Sequence, residues 1–145
     1  MRFVGRLFMK KVLLVLLFVL LSCGKSEVKV TPDESKIAGS AMEVIQQIRQ
    51  MYQDHNKSAL KELSTQEGYL GYLSATKDFD TASLTFTSKW VDVKDSTVEV
   101  NVTWKGSWKK GDTVSNEKGL CTFVLTRQPM KLLQILRENP FNYPR

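Results

Sequence analysis

Thr97-Val-Glu-Val-Asn-Val-Thr-Trp104 places Val98, Val100, Val102 and Trp104 on one side of an extended chain and Thr97, Glu99, Asn101 and Thr103 on the other. A period of two with one apolar and one polar face marks a strand in an antiparallel sheet that is covered on one side. The same period recurs on both sides of this stretch. Leu84-Thr-Phe-Thr-Ser-Lys-Trp90 alternates, but its apolar parity flips at Val91 and Val93, which predicts a bulge near Trp90. Further strands are expected over Leu120 to Thr126 and Met130 to Arg137. Lys94-Asp-Ser96, Lys109-Lys-Gly-Asp112 and Arg127-Gln-Pro129 separate the runs as hairpin turns, so sequential neighbours pair antiparallel.

Before about Ala82 the period is helical. Thr31-Pro32-Asp33-Glu34 combines an N-cap threonine, proline at the first helical position and glutamate three residues after the cap. Apolar residues follow at Ile37, Ala41, Val44, Ile48 and Met51, a stripe on one face of a helix that should end around Gln53. Asp54-His55-Asn56 reads as a turn and Ser58 to Leu63 as a short second helix. Ser64-Thr65-Gln66-Glu67 then opens a third helix carrying Tyr69, Leu70, Tyr72 and Leu73. Helices first and a meander after predict an α+β domain, with N-terminal helices packed against a curved antiparallel sheet of about four to six strands.

The amino end carries a different message. Val12 to Leu21 is apolar throughout, follows Lys10-Lys11 and is closed by Ser22-Cys23-Gly24. Ten helical residues rise only about 15 Å, half of what a membrane span needs, so the run reads as a cleaved export signal. Leu20, Leu21, Ser22 and Cys23 resemble the lipobox of bacterial lipoproteins. That resemblance implies cleavage before Cys23 and a diacylglycerol on its sulfur, with the acyl chains as the membrane partner. By the same resemblance, Gly24 in the place where an aspartate favours inner-membrane retention implies the periplasmic face of the outer membrane. The chain therefore divides into a signal over 1–22, lipidated cysteine and tether over 23–30, a domain over 31–141 and a tail over 142–145.

Removal of the signal takes Arg2, Arg6, Lys10 and Lys11, so basic residues fall from 21 to 17 against 15 acidic ones. The formal charge of +6 drops to about +2, and export separates the chain from nucleic acid, so nucleic acid is not an expected partner. With Cys23 acylated, Cys121 has no intramolecular partner. Its alternation with Phe123 and Leu125 makes it a buried thiol acting as a small hydrophobe. One histidine and one free cysteine exclude multi-histidine and multi-cysteine metal sites, and no metal or cofactor is expected.

Several local words resemble the NTF2-like superfamily, an α+β cone related to the cystatin-like group. They are Met51-Tyr-Gln-Asp54 leading into Ala59-Leu-Lys-Glu-Leu63, and Lys131-Leu-Leu-Gln-Ile-Leu136 followed by Asn139-Pro-Phe141. The resemblance implies a sheet wrapped round the long helix, leaving a pocket at the wide end of the cone. Relatives include isomerases and dehydratases that use an aspartate or histidine, and many that only bind ligands or partners, so the fold does not choose among them.

Candidate site residues follow. His55 is either a solvated turn residue or a general base. Asp92 would face inward beside Phe86 and Trp90 without the bulge, where desolvation would suit it to proton transfer, and faces water with it. Tyr52, Tyr69, Phe86, Trp90, Trp104 and Phe123 either line an apolar pocket or fill it as core. Trp108, beside Lys109-Lys110, either meets head groups at a hairpin tip or folds back on the sheet. The expected function is a non-enzymatic envelope module binding a small apolar ligand or an envelope protein. A pocket enzyme of isomerase or hydrolase type using Asp92 or His55 is the second reading, and a structural subunit dimerising through its sheet face the third.

Overall fold

A computed structural model describes residues 31–144. The signal, Cys23 and the tether lie outside the described residues.

Helix α1 spans Pro32–Gln53 and starts where its capping chemistry predicts. The Thr31 hydroxyl accepts from the Glu34 amide at 3.3 Å, and the Glu34 carboxylate accepts from the Thr31 amide at 3.0 Å, satisfying two of the free donors of the first turn. The fully buried line runs through Ala41, Ile45, Ile48 and Tyr52, with Ile37, Val44 and Met51 packed beside it. The line is thus displaced by one residue from the expected stripe at 44 and 51, which lies at its border. The chain reverses at His55, in the left-handed conformation with φ 54°. Helix α2 spans Lys57–Glu62, capped by the Asn56 side chain, and α3 spans Gln66–Ala75, capped by Thr65.

Strands β1 Thr81–Val93, β2 Thr97–Lys110, β3 Thr113–Thr126 and β4 Leu132–Arg137 form one antiparallel sheet in sequential order. The three expected turns join them. Strand β3 begins seven residues before its expected start, since Thr113-Val-Ser-Asn-Glu-Lys-Gly119 is polar and lacks alternation. Its backbone pairs with β2 all the way to Thr113, and exposure of that half removes the burial that writes a period into a sequence. Between Ser88 and Trp90 the β1–β2 register shifts, so Ser88 faces Val102 while Trp90 faces Asn101. Lys89 is the extra residue of the expected bulge. It keeps Val91 and Val93 on the helix side and turns Trp90 and Asp92 outward.

Side chains from α1 cover the free edge of β1, where Arg49 Nη1 donates to the Leu84 carbonyl at 3.1 Å and Gln53 Oε1 accepts from the Leu84 amide at 2.7 Å. At the other edge, Thr65 and Leu132 exchange backbone bonds with Leu132 and Leu63 at 2.8 Å, which laces the α2–α3 link to β4. Helix α3 lies so close to β4 that a Cβ at Gly68 would come within 2.2 Å of the Leu132 carbonyl oxygen. The core lies between the helices and the inner sheet face, and the chain after β4 returns into it with Phe141 and Tyr143. Tyr143, expected in a tail after residue 141, is buried.

Candidate functional site

The interior between the helices and the sheet holds a packed set of aromatic rings. Tyr52 projects from the last turn of α1 and meets Phe141 at 4.6 Å and Phe79 at 4.8 Å between ring centroids, with Tyr72 edge-on at 6.3 Å. Phe86 and Phe123 lie 5.4 Å apart across the sheet, and both reach Phe141. Trp104 and Trp108, two steps apart on the inner face of β2, meet at 6.2 Å and are both covered by Tyr143. Tilted and edge-on contacts of this kind add to the area that the rings bury. Every one of these rings is buried.

Polar atoms inside the cluster are matched. The Tyr52 hydroxyl accepts from Trp108 Nε1 at 2.8 Å and donates to the Tyr143 carbonyl at 3.2 Å, while Trp104 Nε1 donates to the Glu138 carbonyl at 2.9 Å. Burial raises the pKa of the Tyr52 phenol, a rise opposed by the Trp108 bond and helped by Tyr72. Burial, then the charge of Glu138, pushes the Cys121 thiol up to about 12, so Cys121 is an inert core residue and no thiolate nucleophile. The inner sheet face makes room for the indoles at Gly106, where a Cβ would come within 2.2 Å of the Trp108 ring.

The sequence-based candidates separate into three places. Tyr52, Phe86, Trp104 and Phe123 come together in the cluster, as core. Tyr69 lies half-buried on α3, stacked at 6.4 Å with Tyr72 and 5.9 Å from the Lys61 ammonium, at the cluster's border. Trp90 leaves the set: the bulge places it on the outer face of the sheet, 49% exposed. Trp108 folds back into the core at 1% exposure, so it does not meet head groups at the hairpin tip.

His55 and Asp92 are not brought together. The His55 ring stacks on Phe79 at 4.4 Å, with Nε2 3.4 Å from the Asp80 carbonyl just before β1. Asp92 sits at the far end of that strand, more than about 30 Å along the chain at 3.3 Å per residue. It is solvated and lies 3.8 Å from the Lys94 ammonium, which is also hydrogen-bonded to Glu99. Among the described residues, no three His, Cys, Asp or Glu side chains could share a metal ion.

Sequence reasoning left Phe79, Tyr72, Phe141 and Tyr143 out of the cluster. A signal for Trp108 was present, because continuing the period of two from Trp104 through Gly106 reaches it on the inner face. None was present for Phe141 and Tyr143, which follow the last strand without periodicity.

Clefts open instead on the outer face of the sheet. One, of about 600 Å³, is bordered by Ser83, Thr85, Lys105, Gly106, Ser107, Asn116, Glu117 and Lys118. A second, of about 610 Å³, shares Thr85, Lys105 and Lys118 with it and continues toward Thr103 and Glu138.

No protein-family model matches the sequence, and comparison with curated proteins finds no match. The structure is similar to that of a nuclear transport factor 2 (NTF2-like) superfamily protein from Salmonella enterica subsp. enterica serovar Typhimurium str. LT2. The TM-score is 0.57 and the identity 10%, over 76% of this chain and 99% of that one. Identity this low transfers architecture and no residue role. Three helices leading into an open four-stranded antiparallel meander, with the long helix laid on its inner face, give this chain the NTF2-like α+β fold.

Proposed function

We propose that this chain is a lipid-anchored bacterial envelope lipoprotein whose NTF2-like module is non-enzymatic and acts on an envelope partner through its surface. The packed aromatic interior carries the reading. An open, polar interior would suit catalysis, and an open apolar one a small ligand; here Phe141 and Tyr143 pack into the core from within the same chain, which supports a surface mode. The separation of His55 from Asp92 supports the non-enzymatic half. The lipobox-like Leu20-Leu-Ser-Cys23 supports the anchor, since two or three acyl chains hold a protein on a bilayer almost permanently.

The test is cross-linking of the full chain in intact envelopes, followed by mass spectrometry, with Cys23→Ser in parallel. The expected result is fatty-acid labelling that disappears in Cys23→Ser, and one dominant protein cross-link. Unchanged labelling and membrane fractionation of Cys23→Ser would overturn the anchor. A stoichiometric small molecule retained inside the purified domain would overturn the surface mode in favour of ligand carriage.

A further inference from the structure

The outer face of the sheet is chemically divided by the bulge at Lys89. Toward the β1–β2 turn it carries Asp92 and Glu99, both engaged by Lys94. Toward the β2–β3 turn it carries hydroxyls, an amide and lysines, and none of the outward positions paired across β1, β2 and β3 there holds a carboxylate.

Within that half, Lys105 of β2 and Lys118 of β3 stand directly opposite each other. Directly opposed residues of an antiparallel pair have Cβ atoms about 5 Å apart, and like charges at that separation destabilise the sheet. Acids that could relieve them are otherwise placed. Glu117 has the opposite parity on β3 and, although it borders the first cleft, makes no ion pair with either lysine. The Glu138 carboxylate accepts from the Leu120 amide at 3.2 Å. Among the described residues, neither lysine has an ion-pair or hydrogen-bond partner. The two clefts of about 600 and 610 Å³ both converge on this pair, and Ser83, Thr85, Ser107 and Asn116 surround it with donors.

We propose that this face is a binding site for a phosphate-type oxyanion carried on a small organic body. The two ammonium groups supply compact point charges, which suits a phosphoryl group. The hydroxyls of Ser83, Thr85 and Ser107 and the amide of Asn116 border the same cleft as the charges. The depressions are shallow and open, so the phosphate is the group recognised and a sugar, glycerol or nucleoside body lies along the sheet surface beside it. The site belongs to the sheet alone and holds whether or not Cys23 is acylated.

The ligand could be a free phosphorylated solute or a phospholipid head group, and two probes separate them. The full chain, labelled with nitrogen-15, is titrated at physiological ionic strength with inorganic pyrophosphate. In a second titration it meets dihexanoylphosphatidylglycerol below its micelle concentration. Saturable amide shifts centred on Ser107, Asn116, Lys105 and Lys118 with at least one probe are expected, and the stronger probe identifies the source. Lys105→Gln with Lys118→Gln should weaken binding by more than about tenfold, the loss of two charge-assisted contacts. A control pair elsewhere, Lys57→Gln with Lys77→Gln, should leave it within about twofold, as expected of screened, distant charges. Absence of saturable shifts with both probes overturns the site. Equal binding by the first variant, or equal weakening by the control pair, also overturns it, since attraction would then be a property of overall charge.

Discussion

Tyr52 couples the helix to the sheet and to the returning chain with one hydroxyl. Its oxygen is the partner of a fully buried indole N–H, and its proton goes to a backbone carbonyl of the C-terminal segment. Tyr52→Phe keeps the ring and strands the Trp108 donor, which costs about 1–3 kcal/mol. Urea unfolding should show that loss as a lower midpoint at unchanged slope. A second residue-scale expectation concerns alkali. The folded pKa of Cys121 lies above its ordinary 9.0, at about 12. The unfolded chain therefore releases its proton first. Cys121 contributes stability that is fully present below pH 9 and is lost as pH rises toward 12, at about 1.4 kcal/mol per pH unit. Tyr52 and Tyr72, raised in the same direction by burial, extend the decline. Denaturant unfolding at pH 8 and pH 11 measures it, and Cys121→Val should flatten its first part.

Strand β1 depends on one inserted residue. Deleting Lys89 would restore strict alternation and exchange the two faces beyond it, bringing Asp92 to the core side and sending Val91 and Val93 to water. Burial of a carboxylate with no partner costs several kcal/mol, so the deletion variant should lose at least about 3 kcal/mol or fail to fold. Far-ultraviolet circular dichroism with thermal unfolding decides between those outcomes; a stability equal to that of the parent would refute the bulge. This element was legible in advance because Trp90-Val-Asp-Val93 breaks the parity that Leu84 to Phe86 sets. The near half of β3 was not legible, since its residues are held by backbone pairing with β2 and carry no buried face to leave a pattern. The outward lysines of β2 and β3 were invisible for a related reason. They stand thirteen positions apart in the sequence, and only the hairpin register makes them neighbours.

In the domain as a whole, the interior is closed by the segment that follows β4. Phe141 touches Tyr52, Tyr72, Phe86 and Phe123, so it locks α1, α3 and the sheet together from one position. Phe141→Ala should cost about 3–5 kcal/mol and leave an apolar cavity. Stability should then rise on adding benzene or a similar small aromatic, because a ligand that enters only the folded state shifts the equilibrium. Failure of such ligands to raise the midpoint would mean that neighbouring rings had collapsed into the space. From sequence alone came the class and order of the elements, the capping box, the bulge, the hairpin turns and the burial of Cys121, all of them written in neighbours a few residues apart. Only the tertiary structure decided that Tyr52 and Trp108 share a hydrogen bond, that Tyr143 belongs to the core, and that Lys105 and Lys118 face each other. Contacts between residues distant in the chain depend on how elements dock, and docking is set by packing that no local period records.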